Sequence, residues 1–217
     1  MTTCFCSWSG GKDSCFALYR ALQMGYLPRV LLTMCIENGK RSRSHGLSLL
    51  ILKAQADALK LPLVTQSTSW SNYRKNFITK LTELKQEFSD LSFGIFGDIE
   101  ENTHWEKELC TEIGFEAVLP LWKIDRKMAI HDFLNTGFQA VIVAVNAEKL
   151  EPYFLGKVIN VSLMLEFDKL GIDLCGENGE YHTVVVDGPL FRKPLYLAKC
   201  GEPILRSGYW FQDFDLE

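Results

Sequence analysis

The 217-residue chain predicts an α/β protein built on a mainly parallel sheet, and two observations lead there. Short apolar runs of period 2 take turns with longer runs of period 3.6, the alternation that strand–helix–strand crossovers produce. The helical runs also stop where caps are expected, before Gly25, Gly114 and Gly137, with Pro62 just beyond another.

In chain order, CFCSW opens a first strand near 3–8, and the run after it keeps a helical period over 13–24. VLLTMC gives a strand near 29–35, LSLLILKAQADAL a helix over 47–60, and LVTQS a strand near 63–68. A helix over 72–89, a strand at 93–97, a helix over 103–113, a strand at 116–119 and a helix over 126–136 follow, and AVIVAV closes the alternation near 139–145. Beyond 145 the character changes. GKVINVSLMLEFDKLGI reads as helical, whereas GENGEYHTVVVDGPLF is rich in turn residues and polar groups. Two short strands near 195–199 and 204–211 are expected, with a hairpin turn at Cys200-Gly201-Glu202-Pro203. Pro120 is taken as a boundary, which gives domains 1–119 and 120–217.

Composition narrows the function classes. A net charge of -4 carries no basic excess, which disfavours a grip on long nucleic acid. Apolar runs such as AVIVAV are too short to span a bilayer, and the first residues have neither a basic segment nor an apolar stretch of export length, so a cytoplasmic location without a membrane partner is expected. Seven cysteines, at 4, 6, 15, 35, 110, 175 and 200, include no CxxC pair and read as buried thiols in a reducing compartment.

The chemistry concentrates first in Ser9-Gly10-Gly11-Lys12-Asp13-Ser14, set between an apolar strand and a helix. That arrangement aims backbone N–H groups and a helix N-terminus at one spot, which suits a phosphate. Gly10 and Gly11 let an anion approach the main chain, Lys12 brings a positive charge, and the Ser9 and Ser14 hydroxyls can donate. Asp13 either caps the helix or helps hold Mg²⁺. The loop is not a Walker A sequence, because Ser7 stands where that motif needs its first glycine.

The SGGKDS run resembles the signature of the PP-loop ATP pyrophosphatases, which cleave ATP between the α and β phosphates. The resemblance implies a five-stranded parallel nucleotide domain of the adenine nucleotide alpha hydrolase-like (Rossmann-like) kind and a smaller C-terminal α+β substrate domain. It also implies pyrophosphate gripped by the loop and adenine near Thr33-Met34-Cys35. Further on, Gly176-Glu177-Asn178-Gly179-Glu180-Tyr181-His182-Thr183, followed by Asp187, Pro189, Leu190 and Phe191, is similar to a block of the diphthine-ammonia ligase family. LPLW at 119–122 and FQAVIVAV match the same family's middle section.

That resemblance implies an ATP-dependent, AMP-producing ligase that adenylates a carboxylate, in the family the diphthine of elongation factor 2, and then forms an amide with ammonia or another amine. Lys12, Glu177 and Glu180 are the expected catalytic residues; Ser9, Gly10, Gly11, Lys12, Asp13, Ser14, Met34 and His45 are expected to bind ATP. Gly97, Asp98, Glu100, Asn178, Gly179, Tyr181, His182 and Thr183 are expected on the acceptor, with Asp13 and Asp98 also as Mg²⁺ ligands. Asp98 reads equally as a helix cap, and His182 as a base or a surface residue. Here Asn178 stands for the family's glycine, His182 for its glutamate, and FGDIEENTHW for a small-residue and tyrosine-containing stretch. The nucleotide chemistry therefore carries over better than the acceptor, and another carboxylate, an RNA substrate or a non-catalytic nucleotide sensor are the alternatives. A homodimer is compatible with all of these.

Overall fold

The computed structural model describes residues 2–99 and 105–217, which form two compact units. The first comprises the start of the chain to Ser9, Asp13–Ser44 and Lys60–Lys123; the second comprises Gly10–Lys12, His45–Leu59 and Ile124–Glu217.

In the first unit, β1 (Thr3–Ser7), β2 (Leu27–Cys35), β3 (Leu63–Ser67), β4 (Phe93–Ile95) and β5 (Glu116–Val118) make a five-stranded sheet in the order β3-β2-β1-β4-β5. Every pairing in it is parallel. The strands are joined through α1 (Lys12–Gln23), α2 (Leu49–Leu59), α3 (Tyr73–Glu87) and α4 (Trp105–Glu112), of which α2 groups with the second unit. The apolar faces of α3 and α4 bury Phe77, Leu81, Leu84, Leu109 and Cys110 against Phe5, Val30 and Leu32 of the strands and Phe96 just past β4. Phe5 is surrounded edge-on by Phe77, Phe96 and Phe115 at centroid distances of 5.6–6.4 Å, the geometry aromatic rings prefer.

In the second unit, β6 (Gln139–Asn146), β7 (Tyr181–Asp187), β8 (Leu197–Arg206) and β9 (Tyr209–Leu216) make an antiparallel sheet in the order β7-β6-β9-β8. Helices α5 (Arg126–Asn135) and α6 (Val161–Lys169) belong to it, each opened by a side-chain cap: Asp125 accepts from the Met128 N–H and Asn160 from the Leu163 N–H, both at 2.9 Å. Phe133 stacks on Phe138 at 5.2 Å, and Phe167 lies 5.3 Å from both Phe154 and Tyr181.

Three sequence expectations change. AVIVAV does not extend the parallel sheet but becomes a central strand of the antiparallel one, paired with β7 and β9. The TVVVD part of the polar block is not turn but strand β7, whose Val184 and Val185 are wholly buried. The hairpin turn falls at Ser207-Gly208, not at Cys200–Pro203. Both turn residues have positive φ, 52° and 81°, the conformation of a type I′ turn that matches strand twist. The Cys200–Ile204 stretch, where the register shifts, is a bulge inside β8. None of the seven cysteines is in a disulfide; six are buried and Cys200 is exposed. No helix among the described residues is long and apolar enough to cross a membrane.

Candidate functional site

The glycine-rich loop divides between the units, with Ser9, Asp13 and Ser14 in the first and Gly10–Lys12 in the second. In the first unit, the Ser9 N–H donates to Ser14 Oγ at 3.3 Å and the two hydroxyls share a hydrogen bond of 3.0 Å, so the loop's ends are tied to each other. Gly97, just past β4, packs on the start of α1: a Cβ there would lie 2.8 Å from the Asp13 carbonyl carbon and the Ser14 nitrogen. Only glycine permits that approach.

Asp98 follows at the carboxyl edge of the sheet, where open α/β sheets place ligands. It reaches solvent, yet the protein around it, and then the Asp13 carboxylate, raise its carboxyl above the ordinary value. Behind it stands Glu106, a residue the sequence reading did not single out. Glu106 is 1% exposed, and its carboxyl interacts with that of Asp98. Burial, and then the charge of Asp98, push its carboxyl up to about 7. The nearby Tyr73 phenol is driven to about 12 by burial first and then by Asp98.

Met34 is buried in the apolar cluster of this unit, and its carbonyl accepts from the Arg43 N–H at 2.9 Å. Arg43 pairs with Glu37 at 2.6 Å and lies 5.2 Å over the Trp70 ring. Glu100 lies outside the described residues.

In the second unit, the Gly10–Lys12 segment is bonded to β7. The Gly10 carbonyl accepts from the Val185 N–H at 2.9 Å and from Gln55 Nε2 at 2.9 Å, and the same amide donates to the Val185 carbonyl at 2.7 Å. The Lys12 N–H donates to Thr183 Oγ1 at 3.1 Å, across 171 positions of sequence. His45 Nδ1 lies 2.9 Å from the Thr183 carbonyl. Gly10, at φ +81°, and Gly11 sit so tightly that a Cβ on Gly11 would come within 2.1 Å of the His45 ring. Lys12 is 5% exposed, with its ammonium 5.6 Å from the Tyr181 ring centre.

The acidic turn precedes this strand. Glu180 is buried and paired with Lys149 at 3.2 Å, whereas Glu177 is half-buried. Asn178 is exposed, with Oδ1 3.4 Å from Arg126, which is ion-paired to Asp173. The Gly179 carbonyl accepts from the Tyr209 hydroxyl at 2.8 Å. Tyr181 donates its hydroxyl to the Leu174 carbonyl, so both it and Thr183 engage the protein itself. His182 lies between the rings of His45 at 4.7 Å and Tyr209 at 5.6 Å. Burial first, then the charges of His45 and Lys12, lower it to about 3, which leaves a neutral imidazole.

The structure thus gathers Gly10, Gly11, Lys12, His45, Tyr181, His182 and Thr183 in one place in the second unit, and Asp13, Ser14, Gly97 and Asp98 in one place in the first. Gln55 and Glu106 escaped notice because each sits in an ordinary helical pattern. The faint signal for Gln55 was a polar residue among the apolar positions of α2, where it is wholly buried. No group of three or more His, Cys, Asp or Glu among the described residues is arranged to hold a metal ion.

A parallel sheet of this order, with a glycine-rich loop after its first strand, defines an α/β protein of Rossmann-like fold. Residues 2–117 match the diphthamide synthase N-terminal domain and residues 125–213 the diphthamide synthase C-terminal domain; the chain belongs to the diphthamide synthase family.

Among curated relatives it is similar to the diphthine–ammonia ligase of Schizosaccharomyces pombe, at 28% identity over 88% of this chain and 35% of that protein. The Homo sapiens and Rattus norvegicus proteins of the same name are 26% and 24% identical, each over 92% of this chain and 84% of the relative. The chain thus spans about a third of the fission-yeast relative's length. The crystal structure of a predicted subunit of tRNA methyltransferase from Methanocaldococcus jannaschii aligns over 87% of this chain and 98% of that one, with a TM-score of 0.46 and 14% identity.

Proposed function

We propose that this chain is an ATP-dependent, amide-forming ligase that adenylates a carboxylate and passes it to ammonia. The carboxylate of the acceptor attacks the α-phosphorus of ATP, the bond to the β-phosphate bridging oxygen breaks, and pyrophosphate leaves. Ammonia then attacks the acyl carbon, AMP departs with the bonding electrons, and one proton is released. The acceptor in this reading is diphthine on elongation factor 2, after the name of the relatives.

The observation that carries the reading is the bonding of Gly10–Lys12 to strand β7, which makes the phosphate loop and the strand that continues the glutamate-bearing turn one hydrogen-bonded construction. A nucleotide sensor has no need to fix an acidic turn to its phosphate loop. In this reading Lys12 stabilises charge on the departing pyrophosphate, and Ser9, Gly11 and Ser14 are further phosphate contacts. Mg²⁺ fits here as an ion carried mainly by the phosphates, because Asp13 and Asp98 offer two mutually repelling carboxylates and Mg²⁺ usually takes only one or two from protein. It would neutralise phosphate charge. Residues 1–119 bear the nucleotide in this reading and 120–217 the acceptor, with Glu177, Asn178 and Gly179 as acceptor contacts.

The test is product analysis with ATP, ammonium and diphthine-bearing elongation factor 2. AMP and pyrophosphate in equal amounts with amide are expected; turnover to ADP and phosphate would overturn the proposal.

A further inference from the structure

Glu177 and Glu180 flank one turn, but their surroundings differ. The Glu180 side chain is 4% exposed; Oε1 accepts from Lys149 Nζ at 3.2 Å, and Oε2 is buried with no hydrogen-bond partner among the described residues. A carboxylate taken from water is costly unless its oxygens find donors. One oxygen here has its donor from the protein, and the other is left to a ligand.

Lys149 does more than pair with that oxygen. The same Nζ donates to the Asn178 carbonyl at 2.8 Å, so one ammonium holds both the carboxylate and the backbone of the turn. Lys149 is itself placed by the bend after β6, where its N–H donates to the Asn146 carbonyl at 3.1 Å and the Asn146 N–H donates to the Glu180 carbonyl at 2.8 Å. The bend and the acidic turn therefore fix one another from two directions.

We propose that Lys149 is a positioning residue for the amide-forming half of the reaction. It holds Glu180 in one orientation, leaving Oε2 to accept an N–H of the incoming ammonia. As the C–N bond forms and AMP leaves with the electrons of the acyl–oxygen bond, the proton shed by nitrogen passes to Oε2. This rests on the reading of the chain as an amide-forming ligase.

The experiment compares the full-length wild type, Lys149→Met, Lys149→Gln and Lys149→Arg with ATP, Mg²⁺, ammonium chloride and diphthine-bearing elongation factor 2. Acceptor-dependent exchange of labelled pyrophosphate into ATP reports adenylation alone, and amide formation at varied ammonium reports the second half. Lys149→Met is expected to keep exchange within about twofold while amide formation falls about tenfold or more, an effect of the size seen for misplaced acid–base groups. Lys149→Arg should recover most of the loss. Exchange and amide formation falling in parallel, amide formation unchanged, or Met and Gln variants that both fail to fold would overturn the proposal. A wild type that exchanges no pyrophosphate would refute the ligase reading itself, a separately visible result.

Discussion

Gly97 shows how closely one residue governs the start of α1. Replacing it by alanine drives a Cβ against backbone atoms of Asp13 and Ser14, which cannot swing away as a side chain would. Gly97→Ala is expected to cost about 1–3 kcal/mol and to raise the Kd for ATP, checked by denaturant melts and nucleotide titration. His182 makes a pH prediction of definite sign. Its folded value of about 3 lies below the ordinary 6.5, so the unfolded chain binds more protons between those values. The stability it supports is complete above about 6.5 and is lost as pH falls toward 3. His182→Phe should flatten the acid limb of a plot of Tm against pH; an unchanged limb would remove His182 as its source.

At the scale of elements, α2 and α4 each carry a buried polar group that their amphipathic pattern does not account for. Gln55 of α2 joins Gly10 to β7 through its amide. Gln55→Leu should cost about 1–3 kcal/mol, because buried backbone acceptors lose a donor, and guanidinium melts would show it. Glu106 of α4 has the opposite pH sign from His182. Its folded value of about 7 lies above the ordinary 4.5, so its favourable contribution is complete below about 4.5 and is lost as pH rises through 7. A rise of that size amounts to about 3 kcal/mol of penalty in alkaline solution. Glu106→Gln should therefore raise Tm at pH 8 and change it little at pH 5, and equal shifts at both would exclude ionisation as the cause.

For the whole molecule, the proposal that ATP binds the native chain makes stability depend on ligand. Nucleotide at a hundredfold its Kd should add about 2.7 kcal/mol to unfolding. Thermal shifts with ATP and Mg²⁺ against GTP or buffer check this, and no shift with ATP would count against the loop as its site.

The order of elements in the parallel sheet and the glycine-rich loop after its first strand were legible in the sequence because the signals behind them are local. Hydrophobic period, capping glycines and a strand–loop–helix run are all read within a dozen residues. The hairpin turn was misplaced for a related reason: CGEP carries turn residues, but Ser207-Gly208 is where Arg206 and Tyr209 pair, and pairing is a property of two strands. Glu106 looks like any helical glutamate until the burial of its face is known. What the chain determined by itself was the alternation of strands and helices behind the parallel sheet, with a glycine-rich loop between the first strand and the first helix. Only the tertiary structure decided that AVIVAV would enter an antiparallel sheet, and that Thr183 would close on Lys12 and Lys149 on Glu180, because hydrogen bonds across long sequence separations depend on register and packing that no local pattern encodes.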